Sequence, residues 1–332
     1  MQDKITVVIP YYQKQQGILR RAVRSALEQE SSAALDVLVV DDSSPVPAQL
    51  ELKELVAEFP ARIRIIVQPN AGPAAARNRG LDSIAADTEY VAFLDSDDEW
   101  MAGHISNALF ALAQDFDFYF ADHYQLNQTV SGFERAKRVR PAEHASLSQD
   151  RPYLHRYQGD MFNQILTGNI IGTSTVVYRY RKFPRQRFRE AFYNAGEDYL
   201  FWMDFSRASD RFAFSSRCEC RYGAGVNIYS RAGWGTEEYA LRVHNELRYR
   251  STVGSEFPLD QEQRRFVREQ VNSLREQFAR NLLHRIAHRQ KIDVPLLVRH
   301  FKLDPRSLAC VFPVAVKSAL AGIKTRFFSS GS

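Results

Sequence analysis

The chain contains few cysteines, and their spacing excludes several classes of protein. The 332 residues include three, Cys218, Cys220 and Cys310. An odd count, with two cysteines only two positions apart, argues against a secreted disulfide framework and favours a reducing compartment. No second Cys or His pair has the spacing of zinc ligands, so Cys218 and Cys220 do not predict a zinc site.

Targeting and membrane-spanning signals are also missing. The start, Met1-Gln2-Asp3-Lys4-Ile5, enters a strand-like run without the basic and apolar regions of a signal peptide. No apolar stretch approaches the roughly 20 residues that span a bilayer. The longest, Leu308 to Ile323, is interrupted by Pro313 and Lys317. These absences predict a cytoplasmic protein.

The rest of the composition is that of a globular protein. Apolar residues make up 45% and charged residues 25%, so the core needs no disulfide support. The net charge is +5, with the basic excess in residues 256–332. A basic tail favours nucleic acid or an anionic membrane surface, and a solvated helical face explains it equally well.

Strand and helix patterns alternate over the first 120 residues. Ile5 to Ile9 is a β-branched run typical of a strand buried on both faces, and we expect it to end at Pro10. A helical repeat follows it, made by Leu19, Ala22, Val23, Ala26 and Leu27. Further strands are predicted at Val37–Val40, Ile63–Val67 and Val91–Leu94, and helices at Gln49–Glu58 and from Pro73 to Ala86. This order predicts an α/β fold with a doubly wound, mostly parallel sheet flanked by helices.

The pattern becomes less regular after about residue 125. Ser131 to Gln158 predicts a long loop, Thr173 to Tyr180 a strand, and Glu197 to Arg207 a helix. Gly223 to Gly235 holds four glycines, which suits a mobile loop near a ligand. An amphipathic helix is predicted from about Asp260 to Gln290.

Two predicted strands end in acidic clusters, Asp41-Asp42 and Asp95-Ser96-Asp97-Asp98. In doubly wound sheets ligands bind outside the carboxyl ends of the strands. Two carboxylates one residue apart suit Mg²⁺ or Mn²⁺ that shares phosphate oxygens of a ligand. Such a cation offsets the charge on a departing diphosphate. Alone, the second cluster is better explained as a turn with a helix cap.

Five motifs in order make the pattern specific. They are Val7-Val8-Ile9-Pro10-Tyr11-Tyr12, Val39-Val40-Asp41-Asp42-Ser43-Ser44, Ala76-Arg77-Asn78-Arg79-Gly80, Phe93-Leu94-Asp95-Ser96-Asp97-Asp98-Glu99-Trp100 and Gly196-Glu197-Asp198. Over roughly residues 4–235 the chain resembles the family 2 glycosyltransferases, which have the GT-A fold. The resemblance implies an inverting enzyme that uses a nucleotide-sugar donor and Mn²⁺ or Mg²⁺.

The resemblance also implies which residues bind the nucleotide. Asp42 corresponds to the carboxylate that hydrogen-bonds the base, commonly N3–H of uracil, since a carboxylate only accepts hydrogen bonds. Pro10 and Tyr12 match positions that pack against base and ribose. Arg77 is expected near the ribose or the phosphates. A uridine donor is therefore the first expectation, followed by dTDP- and GDP-sugars.

The D-x-D cluster is expected to serve the diphosphate end of the donor. Asp97 is the expected direct metal ligand, Asp95 a second ligand nearer the ribose, and Ser96 part of the same nucleotide-sugar site. Asp98 is expected either to support these residues or to cap a helix.

Glu197-Asp198 resembles the pair that supplies the catalytic base. A carboxylate opposite the leaving diphosphate removes the acceptor proton and gives inversion in one displacement. We assign the base to Asp198, with Glu197 as the alternative. A helix N-terminus also favours acidic residues, and both roles can hold together.

Four further residues are candidates for the acceptor site or a closing lid. Tyr193 and Trp234 are candidate acceptor or lid aromatics, and Ser230 and Arg231 are candidate diphosphate contacts after loop closure.

The predicted organisation is a catalytic domain over residues 1–240 and a helical, basic extension over 241–332. The nucleotide-binding half spans about 1–120 and the acceptor half about 121–240. The expected acceptor is a saccharide or lipid-linked saccharide of a bacterial surface polysaccharide, with no nucleic acid partner. No Q-x-x-R-W motif is present, which disfavours a processive synthase.

Two other functions fit parts of the pattern. A nucleotidyltransferase has a similar sheet but usually a G-x-G-T-R loop, whereas Pro10-Tyr11-Tyr12-Gln13 follows the first strand here. A non-catalytic carbohydrate- or nucleic-acid-binding module would need neither Asp97 nor Asp198. For the tail, residues 296–328 are expected to contact the inner membrane surface as a peripheral protein, or else to pack on the catalytic domain or form oligomers.

Overall fold

The structure, a computed structural model, describes residues 3–192, 196–224 and 232–316. These residues form two compact units, one made by 3–192 and 197–224, the other by residue 196 and 232–316. The change from one unit to the other thus falls between 224 and 232. The catalytic domain over 1–240 and the extension over 241–332 stay predictions. The functional meaning of these units stays a prediction.

The first part of the larger unit alternates strands and helices as the sequence predicts. Its elements are β1 (Lys4–Tyr11), α1 (Ile18–Leu27), β2 (Ala34–Asp41), α2 (Ala48–Glu51), α3 (Lys53–Glu58), β3 (Ile63–Val67), α4 (Pro73–Asp82), β4 (Tyr90–Phe93), β5 (Glu99–Trp100) and α5 (His104–Leu112). The predicted helix over Gln49–Glu58 is divided at Leu52, and α4 ends four residues before Ala86.

The second part of the larger unit contains more regular structure than the sequence indicated. Its elements are β6 (Phe118–Tyr124), α6 (Gly132–Ala136), β7 (Leu154–Arg156), α7 (Met161–Gly168), β8 (Val177–Tyr178), α8 (Glu197–Ala208) and β9 (Phe212–Arg221). The predicted loop over Ser131–Gln158 thus includes α6 and β7, while Thr173–Tyr180 is a 3-10 turn followed by a two-residue strand.

The nine strands of the described residues join one mixed sheet in the order β3-β2-β1-β4-β8-β6-β9-β5, with β7 paired to β9. Strands β3, β2, β1 and β4 are parallel to their neighbours. β8 is antiparallel to β4 and β6, and β6 and β9 are again parallel. The doubly wound order predicted from sequence therefore describes the first half, and the second half adds antiparallel pairing.

Strand β1 continues past Pro10, where the sequence predicted its end. Leu94 N–H donates to the Val8 carbonyl on the β4 side, and Asp42 N–H donates to the Tyr11 carbonyl on the β2 side. Successive residues of a strand face alternate neighbours, so Pro10 faces β4, whose pairing with β1 stops at Phe93. Proline has no N–H to donate a hydrogen bond on that side. This loss is harmless there, because β4 no longer pairs with β1 at this point.

Helix α4 packs directly on the parallel strands because of Gly80. A Cβ at this position would lie 2.4 Å from Val8 Cγ1. Only glycine allows this approach, which brings Arg77, one turn earlier, to the carboxyl end of β4.

The smaller unit is helical. It contains α9 (Glu237–Glu256), α10 (Gln261–Ala287) and α11 (Val294–Leu303), and residues 306–316 are also helical. Asp260 and Gln263 form a capping box that starts α10 where the amphipathic pattern predicted it. A core of Tyr239, Val243, Leu247, Leu274 and Phe278 joins α9 to α10. Among the helices of the described residues, none has the length and apolar character needed to cross a membrane.

Candidate active site

The acidic turn after β4 is held by one buried carboxylate. Asp98 is 4% exposed and accepts hydrogen bonds from Ser174 Oγ at 2.5 Å and Gly223 N at 3.0 Å. Burial, followed by the charges of Asp95 and Asp97, raises the pKa of Asp98 well above its usual value. A Cβ on Gly223 would lie 1.7 Å from the Asp97 carbonyl oxygen, so glycine is required where the chain crosses this turn. Asp98 therefore shapes the turn.

The other carboxylates of the turn are more accessible. Asp95 has a side chain 33% exposed and a backbone N–H that donates to Ser174 Oγ at 3.0 Å, and Asp97 is partly exposed. Ser96 is buried and accepts from Gln13 Nε2 at 3.2 Å, which ties the turn to the loop after β1. The turn thus presents two carboxylates, Asp95 and Asp97, separated by one residue.

These carboxylates fit a cation that takes part of its coordination from a ligand. Within residues 3–192, 196–224 and 232–316, no group of three or more His, Cys, Asp or Glu side chains could hold a metal by itself. Mg²⁺ is commonly held by one or two carboxylates together with substrate phosphates, which is the donor set that Asp95 and Asp97 offer.

Arg77 is a buried cation among the carboxylates. Its side chain is 5% exposed, its Nη2 lies 2.5 Å from Asp95 Oδ1, and its Nη1 lies 3.9 Å from Glu197 Oε1. Within the described residues, Nε and Nη1 have no hydrogen-bond partner. Burial lowers the pKa of Arg77, but Asp95 and Glu197 outweigh burial and leave the pKa raised. The arginine predicted to contact the nucleotide thus lies beside Asp95 and Glu197. The nucleotide contact itself stays a prediction.

Glu197 and Asp198 occupy the first turn of α8. Burial and then the charge of Asp198 raise the pKa of Glu197, against the opposing effect of Arg77. Burial also raises the pKa of Asp198, and Arg77 again opposes it. Asp198 Oδ1 accepts from Tyr199 N at 2.8 Å. The two neighbours differ in their access to the adjoining cavity: Asp198 lines it and Glu197 does not.

The cavity between the acidic turn and α8 has a volume of about 310 Å³. Asp95 and Asp198 both line it. The remaining walls come from the second half of the sheet and its loops, including His123, Gln125, Asn169, Gly172 and Tyr222. A carboxylate across a cavity of this size from an acidic turn can remove a proton from a bound ligand.

Asp42 lies at the carboxyl end of β2 and is already well bonded. Its carboxylate accepts from Gln68 Nε2 at 2.7 Å, Ala71 N at 2.9 Å and Gly72 N at 2.8 Å. A carboxylate has about four acceptor positions, so about one remains for a nucleotide base. Of the other predicted base contacts, Pro10 is buried and Tyr12 is 37% exposed.

The structure describes only one of the four candidate acceptor and lid residues. Trp234 is 52% exposed and packs edge-on against Tyr239 within the helical unit. Tyr193, Ser230 and Arg231 lie outside the described residues. Neither His123 nor Tyr222 was predicted from the sequence. His123 lies in β6 and Tyr222 directly follows β9, and neither strand was predicted.

The mixed sheet with flanking helices is that of the GT-A fold, and solved structures share that fold. The structure of TarS from S. aureus in complex with UDP-GlcNAc matches with a TM-score of 0.53 at 16% identity, over 93% of this chain and 81% of that chain. The mannosyltransferase PcManGT from Pyrobaculum calidifontis, in complex with GDP-Man and Mn²⁺, matches with a TM-score of 0.53 at 14% identity, over 96% and 87%.

Sequence comparison identifies the family. The model described as glycosyl transferase family 2 matches residues 6–183. The succinoglycan biosynthesis protein ExoW of Rhizobium meliloti is 32% identical over 319 residues, which covers 94% of this chain and 98% of that protein. The chain belongs to glycosyl transferase family 2 and is a glycosyltransferase. The resemblance found in the sequence motifs is thereby confirmed, and the nucleotidyltransferase alternative is not supported.

Proposed function

We propose that this glycosyltransferase is a metal-dependent, inverting enzyme that moves a sugar from a UDP-sugar to a saccharide or lipid-linked saccharide in bacterial polysaccharide biosynthesis. The observation that carries the proposal is that Asp95 and Asp198 line the same cavity. A polysaccharide product is supported by the likeness to ExoW, whose name places it in succinoglycan biosynthesis.

Asp198 is the catalytic base in this proposal. The acceptor hydroxyl gives its proton to the Asp198 carboxylate while its oxygen bonds to the anomeric carbon. The bond from that carbon to the diphosphate breaks on the opposite face, which inverts the configuration. Arg77 supports this role because its charge lowers the pKa of Asp198 against the effect of burial and so favours the ionised form.

Asp97 and Asp95 would hold the divalent cation. When bound, Mn²⁺ or Mg²⁺ offsets the negative charge of the nucleoside diphosphate. The partial exposure of both side chains supports the assignment, and Mn²⁺ in the mannosyltransferase of the same fold agrees with it.

We assign uridine as the nucleoside of the donor because of the hydrogen bonding of Asp42. Three hydrogen bonds orient its carboxylate and leave about one acceptor position, which suits the single N3–H donor of uracil. TarS, which binds UDP-GlcNAc, supports the same nucleotide. Pro10 and Tyr12 would pack against base and ribose.

A donor screen tests the proposal. Release of nucleoside diphosphate is measured for UDP-, dTDP- and GDP-sugars with Mn²⁺, with Mg²⁺ and with chelator. We expect UDP-sugars to react, chelator to stop the reaction, and Asp97→Ala to lose turnover. Asp87→Ala removes a carboxylate 70% exposed and serves as the control. Full activity in chelator would overturn the metal assignment, and turnover by GDP-sugars alone would overturn the uridine assignment.

We further propose that this cytoplasmic enzyme contacts an anionic membrane through its last helices. Val298, Leu308, Phe312 and Val316 are 46%, 58%, 76% and 42% exposed. Exposed basic residues lie among them along the sequence, namely Arg299, Lys302 and Arg306. Apolar and basic residues together suit the interface of anionic lipids.

Flotation with phosphatidylglycerol vesicles separates this proposal from oligomerisation through the same helices. The full chain should float, and a Leu308→Glu/Phe312→Glu variant should float less. Equal flotation of both proteins rejects membrane contact. A change of oligomeric state in the variant, seen by light scattering without vesicles, would assign the surface to a second copy.

A further inference from the structure

The cavity at Asp198 has an aromatic wall that the reaction chemistry does not use. The rings of His123 and Tyr222 are stacked with centroids 4.4 Å apart and planes 19° apart. Both side chains line the cavity that Asp95 and Asp198 also line. The stack thus lies beside Asp95 and Asp198 but contributes no carboxylate to the reaction.

An irregular end of β6 directs His123 to this place. The register between β6 and β9 shifts between Ala121 and Asp122 and again between Asp122 and His123. Bulges of this kind change the direction of side chains and are common near active sites. Asp122 stabilises the irregularity, since its Oδ1 accepts from His123 N at 2.8 Å and from Phe133 N at 2.9 Å.

Two glycines make room for the stack. A Cβ on Gly132 would lie 2.7 Å from His123 Cε1, and one on Gly172 would lie 2.3 Å from Tyr222 Oη. Neither glycine has a positive φ, so space rather than backbone conformation requires them. Larger residues at either position would displace the rings.

The imidazole of His123 has unused hydrogen-bonding capacity. The residue is 7% exposed, and its Nδ1 has no hydrogen-bond partner within the described residues. Burial, and to a lesser extent Arg135, lowers the pKa of His123 to about 4, so the ring is neutral at pH 7. A neutral imidazole has one donor and one acceptor nitrogen. A buried polar group without a partner indicates a ligand or water that completes it.

We propose that the His123–Tyr222 stack is the specificity subsite for the acceptor saccharide, with the aromatic wall against a pyranose ring and the imidazole hydrogen-bonded to one of its hydroxyls. This inference rests on the proposed function, because it takes Asp198 as the base.

The position of the stack favours the acceptor over the donor. The predicted nucleotide contacts Pro10 and Asp42 lie on β1 and directly after β2, in the first half of the sheet. The stack comes from the end of β6 and the residue after β9, in the second half. Asp198 lines the same cavity as the stack, as a base that takes a proton from a bound acceptor must.

Kinetics on the full chain test the assignment. His123→Phe keeps a ring but removes both nitrogens, and p-nitrophenyl β-glucoside and β-galactoside serve as acceptor probes. We expect the acceptor KM to rise about tenfold, the scale of one lost hydrogen bond, with the donor KM unchanged. His155→Phe is the matched control, since His155 is 6% exposed, stacks on Phe214 and does not line the cavity.

Histidine NMR provides a readout independent of turnover. The His123 ring signal, identified by its loss in His123→Phe, should shift when the glycosides are added and stay unchanged with UDP. A shift with UDP alone, no shift with any glycoside, or an equal rise of acceptor KM in the His155 control would overturn the subsite. Failure of the wild-type protein to hydrolyse any nucleotide-sugar would instead contradict the proposed function, while the NMR titration would still decide the subsite.

Discussion

Replacing Arg77 by methionine should destabilise the protein strongly. The guanidinium is 5% exposed, bonds Asp95 at 2.5 Å and lies 3.9 Å from Glu197. Methionine fills similar space but leaves these buried or half-buried carboxylates without their cation. Removal of one partner of a buried ion pair costs about 3–5 kcal/mol. In a unit of about 220 residues this corresponds to a fall in Tm of roughly 6–20 °C.

Thermal melts of matched variants measure this effect. Arg79→Met removes an exposed arginine from the same helix and should change stability by no more than about 0.5 kcal/mol. Arg77→Met/Glu197→Gln should recover part of the loss, because one uncompensated carboxylate is gone. The deficit should also shrink at pH 5, where Glu197, whose pKa burial raises to about 7, takes up a proton. Equal Tm values for Arg77→Met and Arg79→Met would refute the role of Arg77 as the buried counter-ion.

Three further predictions concern single residues. Asp198→Asn should lower kcat by about 10²–10⁴-fold with donor binding unchanged, and Glu197→Gln should lower kcat less. The measurement is nucleoside diphosphate release with acceptor present, and a larger loss in Glu197→Gln would exchange the two roles. Gly223→Ala should lower the free energy of unfolding by about 1–3 kcal/mol through the clash with the Asp97 carbonyl. Gly233→Ala, where a Cβ meets nothing within 4 Å, should have a smaller effect, and equal denaturant midpoints would contradict the clash. His300, fully buried and bonded to His244 and Ser307, has a pKa lowered to about 3, chiefly by burial. Its neutral form therefore stabilises the fold above pH 6.5, and this stability is lost as the pH falls from 6.5 towards 3. Melts at pH 7.5 and 5 should show a steeper fall for the wild type than for His300→Asn, and parallel curves would exclude His300 as the cause.

The first half of the fold could be predicted because its signals are local. The β-branched run of β1 and the apolar repeat of α1 reveal the element type within ten residues. Strand β6, by contrast, is buried on both faces yet contains Asp122 and His123. Polar residues interrupt the apolar run, and their burial depends on partners in β9 about 95 residues later. No window along the chain contains that information.

The active site shows the same division. The sequence by itself determined which carboxylates are present and that they follow β4 and begin α8, since turn and helix-start preferences act between near neighbours. Only the tertiary structure decided where each carboxylate lies and what surrounds it. Asp98 turns inward because Ser174 and Gly223, 76 and 125 residues away, donate to it. Arg77 pairs with Asp95 because Gly80 lets α4 approach β1, and Asp198 rather than Glu197 lines the cavity. Neighbouring carboxylates along the chain have the same chemistry. Packing against distant residues gives them different burial, charge environment and access to a ligand.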